Sequence, residues 1–194
     1  LDVNMGVGGI DQAAAMERAV REIAQITDAP LVIDTSDARA LEAGLRAYPG
    51  RALINSVSAE DNRIQEFLPL AKKYGAAILC LPIREEGVPK TAEARFEAVQ
   101  YILEHAKQYG LTEGDFLLDG LVMTVSADKN ACREVLGTLR LYREHLGYPS
   151  TMGLSNISFG LPNRPLINST FFAMCLAGGL DAPIMNPYDA KMQD

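Results

Sequence analysis

The chain has 194 residues, of which 48% are hydrophobic, and 25 acidic against 18 basic side chains give it a formal net charge of −7. A chain of this length and apolar content can bury a full core, which excludes an intrinsically disordered protein. The negative charge argues against non-specific binding to nucleic acid or to an anionic membrane, because both require a basic face. We therefore expect a small molecule or another protein as the partner.

The sequence lacks a run of about 18 apolar residues, which a membrane-spanning helix would need. Its first residues, LDVNMGVGG, lack the basic start and apolar core of a signal peptide, so we predict a cytoplasmic protein. Cys80, Cys132 and Cys175 lie far apart in apolar segments and are predicted to be reduced core residues. His105 and His145 fall near the ends of predicted helices, and no H-E-x-x-H or Cys/His cluster is present, so no protein-bound metal is predicted.

Apolar strand-like runs alternate with amphipathic helix-like runs along the chain. The predicted strands are 1–4, 30–36, 52–58, 76–82, 116–126, 151–159 and 182–187. The predicted helices are 11–27, 38–48, 61–74, 91–109, 128–146 and 164–177, and one more begins after the last strand. Seven βα units with short connections indicate a parallel sheet with helices packed outside it.

Two architectures fit this pattern, an open doubly wound sheet and a (β/α)₈ TIM barrel. The glycines of GVGG at 6–9 do not have the G-x-G-x-x-G spacing of a dinucleotide-binding fold, so the barrel is favoured. Such a barrel usually takes about 250 residues and eight strands. Since only seven strands are predicted, we expect the first strand and the last helix to lie outside this chain. The 194 residues are expected to form a single domain, a fragment of a larger barrel domain.

Nearly every predicted strand ends in a carboxylate or an amide, and the active site of a parallel barrel lies at that end. Taken singly, an Asp or Asn there commonly caps a helix or holds a turn. Taken together, they predict a set of hydrogen-bonding groups suited to a flat polar heterocycle, whereas a phosphate would call for Arg, Lys or a glycine nest. These strand-end residues are Asn4, Asp34, Asn55, Asp119, Asn156 and Asn186.

The segments DVNMG, LVIDTS, ALINSVS, GVPKTAEAR, LLDGLVMTVS and GLSNISFGLPNRPLIN resemble the pterin-binding (methyltetrahydrofolate-binding) barrel family over essentially the whole chain. That family includes the folate domain of cobalamin-dependent methionine synthase and the methyltetrahydrofolate:corrinoid protein methyltransferases. The resemblance implies a (β/α)₈ barrel enzyme that moves the N5 methyl of methyltetrahydrofolate to Co(I) of a cobalamin or corrinoid. It also implies that a partner domain or protein carries the corrinoid. A homodimer is compatible with this interpretation.

The resemblance also assigns roles to the strand-end residues. It places Asn156 beside N5 as the catalytic residue and implies that Asp34, Asn55 and Asp119 hydrogen-bond the pteridine ring. N5 is a poor leaving group and must gain a proton or strong hydrogen-bond donation by the transition state. An amide can donate its NH₂ to N5 or accept an N5–H through its C=O, which suits Asn156 to that position.

Other residues near these positions have two interpretations. Asn4 is assigned to the same pocket, and Arg164 either reaches the benzoyl-glutamate tail or is a surface arginine. Gly120 stands where the family commonly has a proline, which is expected to loosen the backbone beside Asp119. Phe159 either walls the pocket or, as we favour, packs in the core. The loop 84–91 contacts a partner or, as we favour, is a solvated loop ending in a Thr N-cap.

Two further functions compete with methyl transfer. Dihydropteroate synthase uses a similar Asp and Asn pair, but that family carries a lysine and an arginine-histidine pair for a diphosphate leaving group, and LSNIS and IMNP hold no basic residue here. A non-catalytic folate-binding barrel fragment is the other alternative. Within methyl transfer, NISFGLP and IMNP favour the methionine-synthase-like branch over an acetyl-CoA-type pathway.

Overall fold

A computed structural model describes residues 1–192 of the chain. Within them, seven strands alternate with six α-helices. The strands are β1 (Asp2–Asn4), β2 (Val32–Asp34), β3 (Leu53–Ala59), β4 (Ala77–Arg84), β5 (Phe116–Asp119), β6 (Ser150–Gly153) and β7 (Ala182–Ile184). The helices are α1 (Gln12–Ile26), α2 (Ala38–Ala47), α3 (Asp61–Tyr74), α4 (Ala92–Gln108), α5 (Ala131–His145) and α6 (Arg164–Ala177). The strands follow one another in the sheet in chain order, which confirms the predicted βα succession.

The helices begin and end where local chemistry favours it. Asp11 caps α1 and Asp37 caps α2, each through a carboxylate oxygen that accepts backbone N–H groups of the first turn. Helix α3 ends at Gly75, whose φ of 64° is accessible to glycine without strain. These signals are why the predicted helix bounds agree closely with the observed ones.

The chain divides into two compact units, each defined by its internal contacts. The first unit comprises Leu1–Cys80 and Tyr101–Phe116. In it, β1 pairs with β2 and β2 with β3, all parallel and in register. Val3, Ile33 and Ile54 occupy neighbouring positions of that register and are almost fully buried. One face of these three strands is therefore closed by core packing.

The second unit comprises Leu81–Gln100 and the residues from Leu117 onward. Here β5 pairs with β6 and β6 with β7, again parallel. Its core brings apolar side chains of α5 and α6 together with those of β6 and the segments that follow β5 and β6. The buried members of that cluster are Val122, Ala131, Val135, Leu139, Met152, Leu154, Ile157, Phe171, Cys175, Leu180 and Met192.

Four predicted strands are shorter than expected; β2 and β7 lose residues at their ends, and the segments after β5 and β6 adopt a different structure. The strand predicted at 116–126 ends at Asp119, and Leu121 then adopts a φ of 52°, which no strand residue has. The strand predicted at 151–159 ends at Gly153 and continues as a 3₁₀ turn over Leu154–Ser158. Leu154 and Ile157 are both buried, and a spacing of three places them on one side of a 3₁₀ turn, whereas a strand would place them on opposite faces.

The helix expected after β7 appears within the described residues only as a 3₁₀ turn at Ala190–Met192. Any continuation of it beyond residue 192 lies outside the part of the chain that the structure describes. The strand and helix expected beyond the two ends of the chain stay a prediction.

We predict that Gly44→Ala destabilises the protein by about 1–2 kcal/mol, because helices α1 and α2 approach closely at this position. A methyl group there would lie 2.9 Å from Met16 Cγ and 3.0 Å from Ile33 Cγ2. The measurement is urea unfolding. Gly114→Ala is the matched control, since a methyl group at Gly114 meets nothing within 4 Å. If both substitutions changed the free energy of unfolding equally, close packing at Gly44 would not be the cause.

Candidate functional site

Three predicted strand-end residues of the first unit lie in one row. Asn4 is the register partner of Asp34, and Asp34 is the register partner of Asn55. Because side chains alternate along a strand and paired positions in parallel strands share a face, the three side chains lie on the face opposite to buried Val3, Ile33 and Ile54. The Asn4 amide donates to Asp34 Oδ2 at 2.8 Å. The predicted set is therefore brought together over these three strands, although Asn55 is the third residue of β3 and not its end.

Asp2 joins this row, although the sequence analysis did not select it. Its Oδ2 accepts a hydrogen bond of 3.1 Å from the Asn55 amide, and it precedes Asn4 by two residues on the same face of β1. Partial burial, followed by the nearby negative charge of Asp34, raises the pKa of the Asp2 carboxyl, although the Asn55 hydrogen bond opposes the rise. The period of two along β1 was the signal that could have identified it.

Asp119 is the buried carboxyl of the second unit. It is the last residue of β5 and the register partner of Thr151, and its side chain is only 8% exposed. Burial raises the pKa of Asp119 to about 6, against the opposing effects of a 2.7 Å hydrogen bond from the Leu121 N–H and the positive charge of Arg95. A carboxyl with such a pKa exists in both protonation states near neutral pH, which is typical of functional sites.

The backbone after Asp119 is held on both sides. The Gly120 N–H donates to Thr151 O at 2.9 Å, and Arg95 Nη1 donates to Gly120 O at 3.4 Å. A proline at this position could not donate the bond to Thr151, so Gly120 provides a backbone contact that the family's common residue would lack. Arg95 itself is 1% exposed and was not identified from the sequence.

Asn156 was expected within the predicted strand 151–159, but it lies in the 3₁₀ turn after β6, and its side chain is exposed. The turn is anchored in the core by Leu154 and Ile157. A methyl group placed on Gly153 would lie 3.1 Å from Asn156 Nδ2, so the amide lies against the carboxyl end of β6. Asn156 thus lies close to the carboxyl end of β6, whereas its predicted strand conformation is wrong.

Arg164 is bonded to the same turn. Its Nε donates to Ser158 Oγ and its Nη2 to Ser155 O, each at 3.0 Å. The guanidinium carbon also lies 5.8 Å from the centre of the Phe159 ring. The Phe159 side chain is 66% exposed, so the favoured core position for it is wrong.

Two hydroxyl groups link the loop after β5 to the turn after β6. Thr124 Oγ1 donates to Phe159 O at 2.7 Å, and Ser126 Oγ donates to the same oxygen at 3.1 Å. The two hydroxyl oxygens lie 2.9 Å apart. We call Thr124 and Ser126 the hydroxyl clamp. Neither was identified from the sequence, because the run LVMTVS was interpreted as strand.

Several predicted capping and core roles are confirmed. Thr91 Oγ1 accepts from Ala94 N and caps α4, whereas Asn186 Oδ1 accepts from Tyr188 N and holds a turn. All three cysteines are free, with Cys80 and Cys175 buried and Cys132 partly buried. Burial raises the pKa of Cys175 to about 12, which keeps it a thiol.

Within residues 1–192, no group of three or more His, Cys, Asp or Glu side chains is arranged to hold a metal ion. Over the same residues, none of the helices has both the length and the apolar character needed to cross a membrane.

The chain matches known proteins over nearly its whole length. A family profile described as pterin binding enzyme matches residues 1–186. Methionine synthase of Mycobacterium tuberculosis is 32% identical over 96% of this chain, and that of Mycobacterium leprae is 31% identical over 96%. The chain spans only 17% and 16% of the length of those two proteins. Methylcorrinoid:tetrahydrofolate methyltransferase of Eubacterium limosum is 30% identical over 99% of this chain and 72% of its own length.

Solved structures of dihydropteroate synthase share the fold. The Yersinia pestis enzyme with a pterine-sulfa conjugate has a TM-score of 0.70 at 16% identity, over 94% of this chain and 74% of that chain. At this identity the likeness shows the fold alone, and it confirms the predicted barrel class.

We predict that Asp119 makes stability depend on pH. Because the pKa of Asp119 is about 6 in the folded protein and near 4 when unfolded, the folded state binds more protons between these values. Its contribution to the free energy of unfolding therefore falls as pH rises through this window. Asp119→Asn removes that loss, so the stability of the variant relative to the wild type rises by about 1–3 kcal/mol from pH 4 to pH 7.

The measurement is urea unfolding at a series of pH values, with Asp37→Asn as the control. Hydrogen bonds from the Ala40 and Arg39 N–H groups lower the pKa of Asp37, so removing this carboxyl should give the opposite sign: relative stability falls as pH rises through the acidic range. If the free energy of unfolding of Asp119→Asn relative to the wild type did not change with pH, the assigned pKa of Asp119 would be contradicted.

Proposed function

Because this chain belongs to the pterin binding enzyme family, we propose that it binds the pterin ring of a folate and catalyses methyl transfer between N5 of that folate and a corrinoid. The corrinoid is carried by a partner domain or protein. Methyltetrahydrofolate is the substrate, and no protein-bound metal is needed in this chain for the proposed reaction.

The observation that carries pterin binding is the row of Asn4, Asp34 and Asn55 on one face of three adjacent strands. This row offers carboxylate and amide groups and no cation. A reduced pterin presents several N–H donors along one edge, and a carboxylate can accept a pair of them. We assign Asp34, Asn55 and Asp119 to the pteridine ring, with Asn4 beside them.

Asp119 suits this role for an energetic reason. Its charged form is disfavoured by burial, and its Oδ1 accepts one backbone N–H. Donation from a pterin N–H would favour the charged carboxylate and lower its pKa. Binding would then release a fraction of a proton near pH 6, and the ligand would relieve an unfavourable state of the free protein.

Asn156 is the proposed catalytic residue. Its exposed amide can donate to N5 as the methyl leaves and can accept an N5–H in the opposite state. Because this interaction would strengthen as charge develops at N5, it would lower the barrier more than it would strengthen substrate binding. The exposure of the amide supports this role, since the amide is accessible to a ligand. Arg164, which is bonded to the same turn, is assigned to the folate tail through its remaining N–H groups or, alternatively, to the support of that turn.

The names of the relatives support methyl transfer, but they do not favour one direction of it. The Eubacterium limosum relative is named for transfer from a methylcorrinoid to tetrahydrofolate, and the two mycobacterial relatives are methionine synthases. The same groups must serve both directions of one reaction by microscopic reversibility. We favour transfer from methyltetrahydrofolate to Co(I), as in methionine synthesis.

Dihydropteroate synthase activity is the second candidate, because the solved structures of that enzyme share the fold. Its diphosphate leaving group requires cations, whereas the strand ends here carry Asp and Asn. Release of diphosphate from a pterin diphosphate and para-aminobenzoate would favour this candidate over ours.

We predict that Asn156→Ala lowers the rate of methyl transfer by about 10²-fold while methyltetrahydrofolate binding changes little, because one polar group at a transition state contributes on this scale. The assay follows the methylation of free Co(I) cobalamin, and binding is measured by calorimetry. Ser155→Ala is the control, since Ser155 is an exposed neighbour in the same turn whose backbone oxygen, not its hydroxyl, contacts Arg164.

The same assay separates the alternatives. Binding of methyltetrahydrofolate by a wild-type chain that transfers no methyl would indicate a folate-binding module. Full activity of Asn156→Ala would overturn the catalytic role of Asn156 while leaving the reaction in place. Asp119→Asn should weaken binding itself, since it removes a carboxylate assigned to the pterin edge.

A further inference from the structure

We propose that the hydroxyl clamp, and Thr124 above all, is a positioning device for Asn156. This inference rests on the proposed function, because it assigns Thr124 a role that acts through the catalytic amide. Thr124 does not itself touch the reacting atoms. It belongs to the loop that follows Asp119, and its bonds end on the turn that carries Asn156.

The loop is joined to the turn by four contacts. Two are the hydroxyl bonds of the clamp to Phe159 O. A third is the backbone bond from Val125 N to Ile157 O at 3.1 Å. The fourth is a longer contact of 3.4 Å between Thr124 Oγ1 and Ile157 O. Asn156 therefore lies one residue before Ile157 and three before Phe159, the two residues whose carbonyl oxygens are held by the loop.

A short 3₁₀ turn needs such external support. Its hydrogen bonds have poorer geometry than those of an α-helix, and the turn here spans only five residues. Leu154 and Ile157 fix its buried side, and Arg164 binds Ser155 O on the exposed side. The clamp fixes the remaining end, at Phe159.

The clamp also links two proposed site residues. Thr124 follows Asp119 by five residues, and the intervening backbone is fixed at Gly120 and Leu121 by hydrogen bonds. Asn156 precedes Phe159 by three residues, and its own carbonyl accepts from the Phe159 N–H at 3.1 Å. Hydrogen bonds and the short backbone segments between them thus connect Asp119 to the backbone of Asn156. Displacements of about 1 Å in such geometry can lower a rate by about 10²-fold.

The test is Thr124→Val, which removes the hydroxyl and keeps the shape. We expect a loss of about tenfold in kcat. KM for methyltetrahydrofolate should change by less than about twofold, because the protein carboxylates assigned to bind the pterin are unchanged. Thr124→Ser keeps the hydroxyl and should restore most of the rate. Thr170→Val is the matched control: Thr170 is exposed on α6, and its hydroxyl donates to Leu166 O of the same helix at 2.8 Å.

A double variant distinguishes positioning from general support of the fold. If Thr124 acts through the Asn156 amide, Thr124→Val should cause no further loss of rate in an Asn156→Ala background. If the rate loss of the double variant equalled the product of the losses in the two single variants, the inference would be overturned. Hydrogen exchange of the Val125 and Phe159 amides should be faster in Thr124→Val than in Thr170→Val, while the thermal midpoints of the two variants stay alike.

The possible failures are separable. No methyl transfer by the wild-type chain overturns the proposed function, and the catalytic consequence of the clamp falls with it. An active wild type whose kcat is the same in Thr124→Val as in Thr170→Val overturns the clamp alone.

Discussion

Parallel pairing in register is the constraint on which the candidate site depends. It brings the last residues of β1 and β2 level with the third residue of β3, so that Asn4, Asp34 and Asn55 form a row although they are far apart in sequence. The same pairing aligns Asp119 with Thr151 in the second unit. The buried residues one position earlier, such as Ile33 and Ile54, hold the strands in that register. A slip of one residue would exchange the apolar and polar faces, so core packing fixes the position of the polar groups.

The polar groups of the site differ in their effect on the stability of the folded protein. The Asn4 and Asp34 side chains bond one another at a partly exposed strand end, where water can compensate any loss. Asp119 is buried, and one N–H and a neighbouring guanidinium only partly offset the burial of its charge. A residue that destabilises the free protein at neutral pH is better explained by a ligand than by the fold. Asp119 is therefore the residue of the second unit whose position is best explained by a bound ligand.

The sequence predicted most of the fold, because the helices have strong local signals. α6 begins and ends where it was predicted, and α1 has its Asp11 cap. The strand ends at Asp119 and Gly153 were not predicted, since apolar runs there belong to buried turns as well as to strands. Periodicity cannot distinguish a core-anchored 3₁₀ turn from a strand when only two or three side chains define the pattern.

The sequence predicted the strand-end members of the candidate site. Arg95 and the hydroxyl clamp, which it did not predict, share one property, which is that they bond to backbone oxygens. The strand-end carboxylates and amides are chemically conspicuous and alternate with apolar neighbours. Arg95 and Thr124 are not, because their importance lies in bonds to backbone oxygens that are distant in sequence. Such bonds depend on where loops return to the strands, which neither composition nor spacing records.

In the free protein, the carboxylates of the row already have donors. Asp34 accepts from the Asn4 amide and Asp2 from the Asn55 amide, so a pterin N–H bound as proposed would replace or join an existing partner. Each carboxylate oxygen has two lone pairs, and an amide that yields one acceptor can turn its own C=O or NH₂ toward the ligand. The exchange conserves the number of hydrogen bonds, so its net free energy is small, about 1 kcal/mol or less per bond. Selectivity for a pterin then follows from the order of donors and acceptors along its edge rather than from the number of bonds. A ligand with a different order would leave a carboxylate facing another acceptor, and that mismatch is what a row of paired Asp and Asn residues would reject.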